Sequence, residues 1–409
     1  MRFTVLDGWR GIAALLVALF HLQALGHFYD SSFVRHAFLF VDFFFVLSGF
    51  VLMHAYRDRL NDGRQFTDFV VRRFGRIYPL HIAIVMLLVL LEGGHLLAQS
   101  WSGGSALRRP FTEAASPWAI ISNALLLQGL GVHDQLTLNH PSWSISAEFW
   151  TYLVFGVVCL VAGLRSKTMA VAAALLAGMG AAVVGRYSPD FIDTTYGYGF
   201  FRCLYGFFVG VLTCMVFKGV QPFRLRPTVA TACELLCVAA AVMFVSRAGG
   251  GRWSLVSPLV FAAVVGVFAL EGGLASRLLN CRPVAWLGTL SYSIYMCHFV
   301  VLLFMRHGFT ALQKLSGHAM FVKAGDHLPD VALISVGGMW TMDALATAYL
   351  AVVVGCSAVT YRFVENPGRR YFNRLAAEWA AGRAAEQPES VSIGNRQAVA
   401  GLATAAPEK

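Results

Sequence analysis

Apolar stretches long enough to cross a bilayer recur along the whole chain, and that recurrence restricts the fold more than any other feature. They fall at 9–27, 37–56, 77–98, 143–164, 168–185, 197–217, 228–246, 255–270, 285–305 and 341–361. At 1.5 Å per residue, about 20 helical residues cover the ~30 Å hydrocarbon core. The spacing predicts an all-α fold: a polytopic membrane protein of about ten transmembrane helices. Composition agrees, since 57% hydrophobic and 13% charged residues leave too little polar surface for a soluble chain of 409. The net charge of +10 would indicate nucleic acid in a soluble protein. Here the excess of Lys and Arg in cytoplasmic loops accounts for it, and no nucleic-acid partner is expected.

An eleventh stretch, PWAIISNALLLQGL at 117–130, is short, and whether it crosses sets the sidedness of everything after it. If it does not cross, the basic segments 57–76, Arg165/Lys167, Lys218/Arg224/Arg226, Arg277/Arg282 and the arginine-rich C-terminal region share the side of the N-terminus. If it does, most positive charge lies outside. The positive-inside rule favours N-in/C-in, with 117–130 as a short peripheral or re-entrant helix.

The start is read as a retained first helix rather than a signal peptide. His21 interrupts its apolar run and no small-x-small cleavage site follows. Residues 1–370 form the membrane domain. Residues 371–409 form a cytoplasmic tail, from about 375 a surface helix fading into disorder. The loop 307–340 carries no strong pattern. No internal repeat supports a transporter architecture. The cysteines have neither metal-site nor disulfide spacing and read as small core residues; no metal is expected.

Among the ionisable residues inside the apolar runs, a short list stands out: His21, Asp42, Glu148, Arg202 and His298. Such groups are costly in a bilayer and commonly functional. Each has a structural alternative: a histidine can bond a neighbouring helix, and Arg202 can neutralise Glu148 or Asp42. Arg10 and His21 are eleven residues apart, roughly 16 Å along a helix. His298, Asp42, Glu148 and Arg202 are all expected at the depth of His21, in the outer half of the membrane. At the other end, Arg73 and Arg76 are three apart and share a helix face, while Arg72 points elsewhere. With Arg10 they can clamp a phosphate, which the planar guanidinium fork suits, although lipid headgroups attract such arginines too. A phosphorylated head at one face and a reactive centre half a membrane away match the shape of an acyl-CoA, as one option among several.

LDGWRGIAALLVALFHL resembles the opening of the acyltransferase 3 family of integral membrane acyltransferases, with Arg10 and His21 at the family's spacing. VDFFFVLSGFVL is similar to its second helix, RRFGRIYP to its R-x-x-R motif (Arg73, Arg76) and PSWSISAEFWTY to its W-S-L-x-x-E segment (Ser144, Ser146, Glu148), with Ile145 where Leu is common. FFRCLYGFFVG resembles its R-x-x-x-F-x-x-G helix, LGTLSYSIYMCHF its S-Y-x-x-Y-x-x-H segment and YRFVENPGRR its closing E-x-P; together the matches span about 1–370. The resemblance implies transfer of an acyl group, commonly acetyl, from cytosolic acyl-CoA to a hydroxyl of an extracytoplasmic or lipid-linked glycan. No cofactor is held permanently; acetyl-CoA or another acyl-CoA is the donor substrate. Some relatives carry a fused extracytoplasmic hydrolase-like domain, which this sequence does not show. The expected location is the bacterial cytoplasmic (inner) membrane, as a multi-pass protein.

On this reading His21 is the base that takes the acceptor's proton, or it holds the acyl group as a relay. Glu148 or Asp42 orients the imidazole, with Glu148 on the acceptor side and Asp42 orienting or structural. Ser144, Ser146, Tyr295, Arg202 and His298 are candidate substrate contacts. Arg10, Arg73 and Arg76 hold the CoA phosphates. Trp101, Trp118 and Trp143 form an aromatic outer rim that suits a carbohydrate, although tryptophan is ordinary at membrane interfaces. The competing class is a transporter or exporter of a small anion or glycan.

Overall fold

Each apolar run becomes a helix, and helix ends are set by residues outside the runs. The computed structural model describes residues 3–102, 109–163, 165–221, 225–323 and 332–385; Arg2, Arg108, Arg224 and the chain beyond 385 lie outside them. In chain order the helices are α1 (Thr4–His21), the short α2 (His27–Asp30) and α3 (Ser32–Arg35), α4 (Phe40–Tyr56), α5 (Gly63–Ser102), α6 (Pro117–Ala124), α7 (Trp143–Ala162) and α8 (Ser166–Tyr187). Then come α9 (Gly199–Val220), α10 (Pro227–Ala248), α11 (Ser257–Phe268), α12 (Leu274–Leu279), α13 (Arg282–Ser316), α14 (Met339–Thr360) and α15 (Asn366–Ala385). Strands β1 (Phe321–Lys323) and β2 (Ala332–Ile334) pair antiparallel ahead of α14.

Among the described residues nine helices are long and apolar enough to span, and the apolar segment Arg252–Phe268, which ends in α11, is shorter. Its contacts show that α11 also runs from one end of the bundle to the other. Ser257 at its start donates to Asp42, beside the end of the bundle where α1 stops. Glu271, just past its end, accepts from the backbone of Val5, where α1 begins.

The stretch 117–130 enters and returns. Ser116 caps α6 by accepting from Ala119 N, and the eight-residue helix is only about 12 Å long. Beyond it the chain reaches Trp150 and Ser146 of α7, which both donate to Leu126 O. It then turns back, and Leu138 N closes onto Ala114 O. The segment is therefore re-entrant, supported by protein on its buried side as a non-spanning backbone in a membrane must be. With ten crossings, the start of α1 and the start of α15 lie at the same end of the bundle.

Three helices differ from the expected bounds. The first run was expected at 9–27, but α1 covers 4–21, so His21 is the last residue of its helix rather than the middle. The helix stops there because the next residues pair as a strand: Leu25 N donates to Ile334 O and Ile334 N to Gln23 O. The 40-residue α5, about 60 Å long, begins fourteen residues before the apolar run expected at 77–98 and carries the arginine segment as an uninterrupted helix. In turn, α13 continues to Ser316, where Gly317 adopts the left-handed conformation that ends helices.

Two knots tie α4 to α9. A Cβ on Gly49 would lie 1.8 Å from Phe207 O and one on Gly210 1.9 Å from Val46 O, so the two backbones meet where only glycine fits. Toward the His21 end, Arg202 grips Asp42 with two bonds, Nε to Oδ1 at 3.0 Å and Nη2 to Oδ2 at 2.9 Å. The same guanidinium donates to Phe38 O and Thr194 O, and lies over the Trp143 ring. Both partners are at most 1% exposed.

A buried pair is costly to break from one side, because the survivor keeps its charge without a partner. Asp42→Ala or Arg202→Ala should each lower stability by about 3–5 kcal/mol, read as thermal unfolding in detergent. The double replacement Asp42→Leu/Arg202→Met should lose less than either; a double variant as unstable as the sum of the singles would contradict the assignment.

Candidate functional site

The register of α1 against α13 builds the site. The helices run parallel, and a Cβ on Gly11 would meet Gly288 N at 2.7 Å while one on Gly288 would meet Asp7 O at 2.2 Å. Contact this close fixes which residues face each other further along. Ten residues beyond Gly11 is His21, and ten beyond Gly288 is His298. Their rings lie 4.8 Å apart.

Hydrogen bonding then assigns the protons. His21 Nδ1 is 2.9 Å from Val17 O, an acceptor, so this nitrogen carries the hydrogen. It is also 3.3 Å from His298 Nε2, which must then accept, and His298 Nδ1 is left to donate to Ile294 O at 3.3 Å. The chain of assignments leaves His21 Nε2 with its lone pair available. No hydrogen bond to that atom occurs among the described residues. Tyr349 of α14 donates to His298 O and holds α14 against the pair. Phe299 and His140 stack beside it with centroids 4.3 Å apart.

Sequence reasoning expected a carboxylate to orient His21. Among the described residues none hydrogen-bonds it, and His298 occupies that position. Asp42 is instead bound to Arg202 and Ser257. Glu148 does not share the histidine layer. Ser144 and Tyr295 join their hydroxyls at 2.7 Å one turn inward of His298, and Glu148 follows Ser144 by a further turn. That puts it about 10 Å from the histidines along the bundle axis, toward Arg10. Helix starts alone suggest an outer position for Glu148, but α7 begins at Trp143 already inward of His298, beside Tyr295, so a residue five further on lies deeper still. Glu148 accepts a hydrogen bond from Ser48 of α4. Ser146 holds the re-entrant segment, donating to Leu126 O and accepting from Gly129 N, and is not beside His21.

At the other end stand the three expected arginines, loosely held. Arg10 lies 3.4 Å from Asp7 and within electrostatic reach of Arg76, Glu148 and Glu365. Arg76 lies 3.8 Å from Glu365. Arg73 donates to Tyr56 at 3.2 Å and covers its ring at 5.3 Å, while its buried Nε has no hydrogen-bond partner among the described residues. Arg72 points away into a two-bond pair with Asp68, as its position on the helix predicts. The contrast with Arg202 is one of saturation: that guanidinium is fully engaged by protein, whereas among the described residues Arg10, Arg73 and Arg76 retain donors.

Glu365, Ser48, Tyr152 and His140 belong to this constellation and had no assigned role in the sequence. Glu365 ends a π-helical turn, Tyr361–Glu365, and accepts from Ser293 at 2.6 Å. An acid directly after an apolar helix reads as a helix end, so only its burial, 1% exposed, sets it apart.

Residues 3–362 match the family model for an acyltransferase domain. The chain belongs to the acyltransferase 3 family. Acyltransferase MdmB of Streptomyces mycarofaciens is 28% identical over 91% of this chain and 93% of its own length. Peptidoglycan O-acetyltransferase OatA of Listeria monocytogenes is 25% identical over 73% of this chain. The putative peptidoglycan O-acetyltransferase YrhL of Bacillus subtilis is 26% identical over 91%. The chain spans 49% of the length of OatA and 57% of YrhL. No solved structure matches it.

The register argument makes a prediction within this acyltransferase fold. Gly288→Ala should lower the unfolding temperature, whereas Gly308→Ala on the same helix, with nothing within 4 Å of its added Cβ, should not. Equal effects at both positions would contradict the role given to the glycine contact.

Proposed function

We propose that this protein moves an acyl group, acetyl being the simplest case, from cytosolic acyl-CoA to a hydroxyl of an extracytoplasmic or lipid-linked glycan. The observation that carries the proposal is the pairing of unsaturated arginines at one end of α1 with an available imidazole nitrogen roughly 16 Å along the same helix. The arginine end is taken as cytoplasmic because the basic loops gather there. Family membership supports acyl transfer as the class of chemistry.

In this scheme Arg10, Arg73 and Arg76 hold the donor's phosphates. The donor's arm runs between α1, α4, α7 and α13. Glu148, fixed by Ser48, accepts from the amide N–H groups of that arm. The acceptor hydroxyl reaches His21 from the opposite end. His21 Nε2 takes its proton as the hydroxyl oxygen attacks the thioester carbonyl. The C–S bond breaks, the ester forms, and the proton passes to the departing CoA thiolate. His298 is a positioning residue: by accepting from Nδ1 it keeps Nε2 the basic atom. Asp42 and Arg202 serve as framework and take no part in the chemistry.

Loss of a general base removes roughly 10²–10⁴-fold of rate. His21→Ala should therefore abolish transfer at the sensitivity of a radiolabelled acetyl-CoA assay, with the protein still folded. Arg73→Ala should raise KM for acetyl-CoA at least tenfold with a smaller change in kcat, and Arg73→Lys should recover part of it. Wild-type activity in His21→Ala, or an unchanged KM in Arg73→Ala, would overturn the scheme. Movement of a glycan across vesicles without esterification would favour an exporter.

A further inference from the structure

The three tryptophans expected to form an outer aromatic rim, Trp101, Trp118 and Trp143, have different surroundings. Trp143 is buried under Arg202. Trp101 is 89% exposed on α5. Trp118 lines a cavity of about 610 Å³ between the start of α6 and the segment 131–137, with Glu113, His133, Asp134, Gln135 and Thr137 around it.

The walls are tied down. Leu138 N donates to Ala114 O, Gly131 N to Tyr196 O, and Asn123 Nδ2 to Thr137 Oγ1. Ser122 Oγ donates its one hydrogen to Ala119 O, so the 2.6 Å contact with His133 Nε2 requires that nitrogen to carry a hydrogen. His133 Nδ1 is therefore an acceptor. The site is pre-formed rather than assembled from mobile side chains, as small-molecule sites usually are.

The lining selects one ligand chemistry. Trp118 offers a flat apolar face, half exposed, with the His133 ring 6.1 Å from it. Glu113, Asp134, Gln135 and His133 supply acceptors, and Gln135 a donor. No lysine or arginine occurs among the described lining residues, so a phosphate or uronate would meet two carboxylates with nothing to neutralise it. A sugar ring without acidic groups fits: its C–H face lies on the indole and its hydroxyls donate to the acceptors.

A short run of chain and two ring contacts connect the cavity wall to His21. Thr137 on its wall precedes His140 by three residues, at most about 10 Å of chain. The His140 ring stacks on Phe299, and Phe299 meets the His21 ring at 6.4 Å. We propose that this cavity, formed by the re-entrant helix and residues 131–137, docks non-acidic sugar residues of the acyl acceptor and delivers their hydroxyl toward His21. The inference rests on the acyl-transfer reading for the role of the sugar, but not for its binding.

The test is binding without donor. The full chain, fluorescently labelled in lipid nanodiscs, is applied to an array of defined neutral, amino and acidic oligosaccharides. We expect retention on neutral or amino sugars in preference to acidic ones. Trp118→Ala should weaken it at least tenfold, Trp118→Phe less than threefold, and Glu113→Gln and Asp134→Asn should each weaken it measurably. Trp101→Ala, outside the cavity, should bind as wild type. Equal binding by wild type and Trp118→Ala, a preference for acidic glycans, or no glycan binding at all would overturn the proposal. Sugar binding without acyl transfer would instead refute the reaction while leaving the site in place. Transfer with an acceptor KM untouched by Trp118→Ala would refute the site alone.

Discussion

The close approach of α1 and α13 at Gly11 and Gly288 is the contact on which the rest depends. Two parallel helices in contact at one level must keep their register for the next few turns, since each residue adds the same rise on both. Ten residues on, the two histidines meet. At the contact itself, Arg10 directly precedes Gly11 and the Asp7 carbonyl faces Gly288, at the opposite end of α1 from the histidines. A single packing event between small residues therefore brings the two histidines together, in a medium where apolar side chains give helices little reason to associate.

Buried charge is handled in two ways. The Asp42–Arg202 pair is closed: every atom that could call for a partner finds one on four neighbouring segments, and the result is a brace between α4, α7, α9 and α11. Arg10, Arg73 and Arg76 are open among the described residues, with few or long contacts to protein groups. Glu365 and Glu148 keep these cations from repelling one another without satisfying them. Saturation, more than the presence of charge, is what distinguishes Arg202 from the other three arginines.

Much of this was legible in the sequence. About ten crossings, a 117–130 segment that is peripheral or re-entrant rather than spanning, and Arg72 pointing away from Arg73 and Arg76 follow from apolar length, charge distribution and helical period. The end of α1 at His21 was not, because it depends on a strand pairing between Gln23–Leu25 and Ile334, more than three hundred residues away. The partner of His21 was missed for a related reason. A carboxylate is the common partner of a catalytic imidazole, but partner choice here comes from glycine register, which no local pattern carries. Glu148 was placed too far out because helix starts do not lie in one plane. Glu365 stood in a motif yet looked like an ordinary helix terminus until its burial was known.

The most direct test of the two-layer account is sidedness. Sealed membrane vesicles of each orientation, carrying their native acceptors, are given radiolabelled acetyl-CoA on the outer surface only. The account predicts esterified product only in vesicles that expose the face bearing Arg10, Arg73 and Arg76, and none from the His21→Ala variant. Product formed from acetyl-CoA supplied at the His21 face would contradict it.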